Sequence, residues 1–228
     1  MRSMLAPTAE AAESTTRDGR ARDSRTRDAD RTQQSILRSA MAEFAESGLG
    51  GARMESIAER AGVNKRLIYY YFGSKEALFL SALETTYADI REAERELKLE
   101  SLSPPDAVRR LVAFTWEHYL KHPEFLTLLN NENLHRAKHL KQSKRIREMN
   151  SPLVQLLGEV LERGRREGVF RAGVDPVHLY ISIAGLAYFY LSNNATLSTI
   201  FARDLMTPGA LSERLAHITD VVMSYLRP

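Results

Sequence analysis

Two short amphipathic segments, Met54-Glu55-Ser56-Ile57-Ala58-Glu59-Arg60-Ala61 and Lys65-Arg66-Leu67-Ile68-Tyr69-Tyr70-Tyr71-Phe72, are separated only by Gly62-Val63-Asn64. No other feature constrains the fold as tightly. Gly62 can take the left-handed conformation that a tight reversal needs. Asn64 can cap the second segment by accepting a backbone N–H. Ala58 is small where the segments must approach closely, and Ile57, Val63 and Ile68 recur at positions that lock them into one unit. The expectation is a rigid pair of short helices, with Phe72 in the core and Lys65, Arg66, Leu67, Tyr69 and Tyr70 facing outward.

The surroundings are helical in pattern. Upstream, Ile36, Leu37, Ala40, Met41, Phe44 and Ala45 recur at helix spacing, and Gly48 supplies a stop. Downstream, helices are expected at 75–99, 105–121, 124–141, 152–167, 176–193 and 208–226. Pro104-Pro105, Pro123, Pro152, Pro176 and Pro208 mark the joints. No run alternates as a half-buried strand does, so the reading is an all-α chain of about nine helices. Residues 1–28 are rich in Ala, Ser, Thr, Arg and Asp, and too poor in large apolar groups to offset the entropy of ordering. They read as a disordered leader or, with Arg17, Arg20, Arg22, Arg25 and Arg27 alternating with aspartates, as an arm for the DNA minor groove.

Composition excludes several chemistries. There is no cysteine, hence no disulfide framework and no thiolate nucleophile. The most apolar stretch, 181–191, is interrupted by Ser182 and Gly185 and is shorter than the roughly 20 residues of a membrane span. A soluble, cytoplasmic chain without a membrane partner is expected. The net charge of +3 matters for nucleic acid only where it is clustered, and the second short helix clusters it at its start. Cations and tyrosines exposed there suit a DNA major groove.

The series Ile36-Leu37, Ala40, Phe44, Gly48, Ile57-Ala58, Ala61-Gly62-Val63-Asn64-Lys65, Ile68-Tyr69-Tyr70-Tyr71-Phe72, Ser74-Lys75-Glu76 and Leu78 resembles the DNA-binding domain of the TetR family of repressors. After the leader at 1–28, the resemblance implies a helix-turn-helix domain at 30–90 with its motif at 53–72, and an effector-binding and dimerisation domain at 91–228. It also implies that Tyr69 and Tyr70 touch bases or backbone, that Tyr71 and Lys75 hold phosphates, and that Lys65 reaches a base edge or the backbone; Arg53 joins this set. Two positions depart from the family pattern. Arg66-Leu67 replaces small residues and suits a guanine contact and a thymine methyl. Ala52 stands where a capping Thr is common. His122-Pro123-Glu124-Phe125 and Glu132-Asn133-Leu134-His135 resemble a subgroup that includes regulators of aromatic-acid catabolism.

Within 91–228, the segment 176–193 is apolar almost all round and, with 208–226, suits a homodimer bundle. On 124–141, Phe125, Leu128 and Leu129 begin an apolar track that continues into Glu132, His135, Arg136 and His139. Buried polar groups need partners. Three readings stay open: an effector pocket, a structural network, or a metal held by Glu132, His135 and His139. The pocket reading gathers Trp116, Tyr119, Glu132, Asn133, His135, Arg136 and Tyr188 around a small molecule. The function expected is a ligand-responsive regulator that binds duplex operator DNA as a dimer and is released by its effector. It needs no cofactor. The alternative is a helical metalloenzyme or metal sensor, against which stands the lack of a nucleophile motif, phosphate loop or Gly-rich cofactor turn.

Overall fold

The computed structural model describes the backbone of residues 9–228 and the side chains from residue 27 onward, except those of 150 and 151. Ten α-helices follow in order: α1 Ala9–Gly51, α2 Met54–Ala61, α3 Lys65–Phe72, α4 Lys75–Arg95, α5 Pro104–Lys121, α6 Pro123–Leu134, α7 Lys144–Arg166, α8 Pro176–Ser192, α9 Asn194–Ile200 and α10 Pro208–Leu226. Side-chain caps start several of them, as the sequence suggests. Asn64 accepts from Arg66 N at 2.8 Å, Ser74 from Ala77 N at 3.0 Å and Asp175 from His178 N at 2.8 Å.

Two hydrophobic clusters organise the chain. The first gathers Ile36, Phe44, Ile57, Ile68, Phe79 and Leu83 from α1–α4, together with Leu128 from α6. The second lies among α5, α7, α8 and α10, around Leu111, Trp116, Leu157, Val160, Ile183 and Val222. Helix α4 runs through both clusters, since its Leu78 belongs to the first and its Ile90 to the second.

The structure corrects several expected boundaries. From Ala9, the first described residue, the backbone is already helical, where composition suggests an unstructured leader; the part of that expectation on residues 1–8 lies outside the described residues. Ala, Glu and Arg favour helix, and extending a helix already nucleated by the packed part of α1 costs little. Helix α4 stops at Arg95 rather than 99, because Lys98 turns left-handed at φ 49°. Arg163 of α7 then holds the carbonyls of Leu99, Glu100 and Leu102. Pro152 is no joint: α7 begins at Lys144, capped by Ser143, and carries Pro152 inside it. An interior proline costs about 3 kcal/mol, opposed here by burial of Leu153, Leu157, Val160 and Leu161 along one face. The short helix α9 brings the number among the described residues to ten, one more than the pattern suggests. Its seven residues span too few turns to show a clear stripe.

Candidate nucleic-acid interface and regulatory core

The α2–α3 turn is built as its residues dictate. Gly62 sits at φ 67°, and the N–H groups of Gly62 and Val63 close back onto the carbonyls of Glu59 and Ala58. No side chain caps α2, whose N-cap residue is Arg53. Buried Glu43 of α1 takes the role instead, accepting from Arg53 N at 3.0 Å. Arg60 forks onto Glu46 at 2.9 and 2.8 Å, which ties α2 to α1 a second time. The sequence reading missed Glu43; its place beside Phe44, on the inner face of α1, was the available signal.

On this frame α3 presents its outer face. Tyr70 is 79% exposed and Tyr69 42%, with Arg66 exposed at the helix start. Lys65 pairs with Glu55 and lies 5.9 Å from the centre of the Tyr69 ring. That pairing raises the Lys65 pKa and lowers that of Glu55. Both side chains are open to solvent, where such a pair is weak and easily exchanged for a phosphate. Leu67 and Tyr71 are half-buried, and the Tyr71 ring stands edge-on to Tyr70 at 5.2 Å. Phe72, expected in the core, is only partly buried at its margin. Arg53 is exposed beside the motif. Lys75 donates to the carbonyl of Gly50 at 3.3 Å, so its ammonium lies where α1 ends and α4 begins.

The expected pocket residues do not converge. Helix α6 ends at Leu134, not 141, and Arg136 and Ala137 follow at φ 56° and 57°. The expected track therefore breaks. Asn133, His135 and Arg136 are exposed, whereas Trp116, Tyr119 and Glu132 are buried. The break is held by Glu132, 1% exposed, whose carboxylate accepts from His139 N at 2.8 Å and Leu140 N at 2.9 Å. His139 Nδ1 lies 2.6 Å from the same carboxylate. Facing a carboxylate, whose oxygens are acceptors, this ring nitrogen takes the donor role. The His139 ring stands edge-on to Phe79 at 5.2 Å, which seats the clasp against α4. His135 does not join; its Nδ1 faces the Asn131 carbonyl at 2.8 Å. Among the described residues no three His, Cys, Asp or Glu side chains are grouped to hold a metal. Tyr188 is half-buried on α8, hydrogen-bonded to Asn130, and shares a shallow surface cleft with Asn133.

A second link joins the two clusters. Asn131 of α6 accepts from Leu49 N at 3.4 Å, beside Gly48 at φ 65°. A Cβ on Gly48 would lie 2.8 Å from Asn131 Oδ1, so both conformation and space require glycine there.

The most polar part of the second cluster was also missed. Arg91 and Glu94, one turn apart on α4, are 5% and 3% exposed. Arg91 Nη2 donates to the Tyr180 hydroxyl at 2.6 Å, with the guanidinium 5.3 Å from that ring. Burial pushes the Glu94 carboxyl up to about 7 against the pull of Arg91. Tyr87 is pushed up to about 12, and Tyr119 and Tyr180 are raised as well, all chiefly by burial. The sequence did carry a signal, because Leu83, Tyr87, Ile90 and Glu94 recur at helix spacing on a core-facing track.

No helix among the described residues is long and apolar enough to cross a membrane. Residues 36–82 match the family model of bacterial regulatory proteins of the tetR family, and residues 104–222 match the tetracyclin repressor-like C-terminal domain. The chain is 43% identical to the HTH-type transcriptional repressor NicS of Pseudomonas putida, over 89% of this chain and 96% of that protein. It is 27% identical to the HTH-type transcriptional regulator RutR of Escherichia coli, over 86% and 90%. Among solved structures it resembles a transcriptional regulator of Streptomyces coelicolor, SCO4942, with a TM-score of 0.65 and 25% identity over 86% of this chain and 99% of that one. The fold is also that of FadR from Bacillus subtilis, solved with stearoyl-CoA, at a TM-score of 0.62 and 17% identity over 85% and 99%. With the reading head built as described and both halves matched, the chain belongs to the TetR family of bacterial regulatory proteins and is a helix-turn-helix transcription regulator.

Proposed function

We propose that this protein is a dimeric, ligand-responsive repressor, acting where the DNA is, in the cytoplasm. Residues 30–90 read a pseudo-palindromic operator, and residues 91–228 dimerise and take a small effector. The observation that carries the reading is the outer face of α3, where Tyr69, Tyr70 and Arg66 stand exposed on a helix locked from behind by Ile57 and Ile68. Arg66 is placed to read a guanine edge. Lys65, Tyr71, Lys75 and Arg53 supply the surrounding backbone contacts. Likeness to proteins named as repressors supports the repressor mode.

The homodimer reading rests on the outer faces of α8 and α10. Val177, Ile181 and Phe189 on α8 are exposed apolar groups, and so are Val221 and Tyr225 on α10, which line a groove with Leu179 and Leu186 of α8. An apolar patch of this kind is covered in an oligomer. Two reading heads related by a two-fold axis then meet half-sites about 34–36 Å apart. Coupling between effector and operator would pass through α6, which holds Leu49 through Asn131 and seats Leu128 in the DNA-binding cluster.

The test is anisotropy titration of labelled DNA from upstream of the protein's own coding region. Wild type should bind as a dimer. If it neutralises about 6–10 phosphates, affinity should fall about 10³–10⁵-fold between 50 and 200 mM salt. Lys75→Ala should weaken all sequences alike, and Arg66→Ala should relax preference at one base pair, because phosphates carry no sequence information. Equal binding to scrambled DNA, or unchanged affinity in Tyr69→Ala and Lys75→Ala, would overturn this reading.

A further inference from the structure

Arg91 and Glu94 are nearly excluded from water and yet under-bonded. Their charged ends touch at 2.8 Å, Nη1 to Oε2, but without hydrogen-bond alignment. Among the described residues, Arg91 Nε and Nη1 and both Glu94 carboxylate oxygens consequently have no hydrogen-bond partner. Buried polar groups are nearly always satisfied, so four such atoms in one place call for an account. All four belong to side chains that line a cavity of about 70 Å³ between α4 and α7, whose far wall is Met149, Pro152, Leu153 and Leu156. One wall thus offers guanidinium donors beside carboxylate acceptors, and the other is apolar. A few polar groups converging on an otherwise apolar hollow are the usual make-up of a small-molecule site.

We propose that this cavity is the effector's recognition site, and that it takes a small neutral molecule whose edge carries a carbonyl acceptor beside an N–H donor: an amide, a urea or a ring amide. The carbonyl accepts from Arg91, and the N–H donates to Glu94. Neutrality follows from the site's own balance: Arg91 faces Glu94, Arg95 at the solvent-exposed rim pairs with Glu92, and an added charge would be buried without a counter-charge of its own. The size follows from the cavity, which admits a single small ring. The proposal rests on the reading of residues 91–228 as an effector domain, and its test fails separately from that reading.

An N–H donor on Glu94 favours the carboxylate over the acid. A matching ligand therefore releases protons when it binds near neutral pH, whereas a carboxylate ligand would draw a proton onto Glu94. The groups facing Glu94 are Arg91 on α4, Tyr119 on α5 and Tyr180 on α8; Arg95 lines the cavity but pairs with Glu92, and the α7 wall brings no charge. Arginine and the raised tyrosines do not titrate near pH 7, so the proton count reports on Glu94.

The experiment is calorimetric titration of the full-length protein with 2-pyrrolidone, N-methyl-2-pyrrolidone and cyclopentanecarboxylate, each at pH 7 in two buffers of different ionisation heat. The expected result is that 2-pyrrolidone binds with net proton release. The N-methyl compound, which lacks the donor, should bind at least about tenfold more weakly, the loss of one hydrogen bond to a charged group. In Glu94→Gln, which keeps a polar side chain of the same size, proton release should vanish. Equal affinity for the two lactams, tighter binding of the carboxylate with proton uptake, or no binding of any of the three would overturn the proposal. Each of those results would leave operator binding, measured on the same preparation, intact. Loss of sequence-specific operator binding would instead count against the regulator reading.

Discussion

Replacing Glu132 by alanine tests the clasp that ends α6. The carboxylate accepts three hydrogen bonds, from His139 N, His139 Nδ1 and Leu140 N at 2.8, 2.6 and 2.9 Å, and the residue is 1% exposed. A hydrogen bond to a charged group contributes about 1.5–3 kcal/mol, and a buried donor left without a partner costs about 1–3 kcal/mol. The three bonds share one acceptor group and are not additive, so the expected loss is about 3–5 kcal/mol. For a chain of this size each kcal/mol lowers Tm by about 2–4 °C, which gives a drop of about 6–20 °C. Glu132→Gln should lose less, because its carbonyl oxygen still accepts from the two backbone N–H groups. Thermal melts followed by circular dichroism, with and without EDTA, measure both variants. A shift under about 2 °C in Glu132→Ala would refute the structural role. So would a wild-type melt that EDTA lowers as far as the substitution does, since that would place a metal between Glu132 and His139.

Two further perturbations follow from the packing and from the buried carboxyl. A Cβ on Gly164 would lie 2.1 Å from the Phe170 ring, so Gly164→Ala should cost about 1–3 kcal/mol by overpacking; the penalty should shrink in a Phe170→Leu background, and equal melting temperatures for wild type and Gly164→Ala would contradict it. Glu94 binds its proton more tightly folded, at about 7, than unfolded. Its stabilisation is therefore present below the unfolded value, about 4.3, and is lost as pH rises through 7. Relative to Glu94→Gln, wild type should lose up to about 3 kcal/mol between pH 5 and pH 8, read from urea midpoints. His118, pushed down to about 4 by burial and His122, acts in the opposite direction. It is present in both proteins and drops out of the comparison, so a pH-independent difference would count against Glu94.

Where the chain itself holds the determinant, the sequence was enough. Gly62 and Asn64 are local signals, and they set the turn and the start of α3 regardless of what packs behind them. Helical periodicity, proline at first helical positions and the caps placed α2, α3, α5, α8 and α10 to within about a residue. The outward face of α3 was legible for the same reason, because Ile57 and Ile68 declare which side is buried. Only tertiary structure decided the end of α6. Periodicity ran smoothly through Glu132, His135 and His139, but the energy lies in Glu132 reaching seven residues ahead to close a non-helical turn. No helical repeat encodes such a bond. The same holds for Arg91 and Glu94: the pattern could mark them as core-facing, but their partner Tyr180, 89 residues away, and the hollow against α7 exist only once four helices are packed. Local backbone chemistry is written in adjacent residues, whereas the partners of buried polar groups are set by the packing of distant segments.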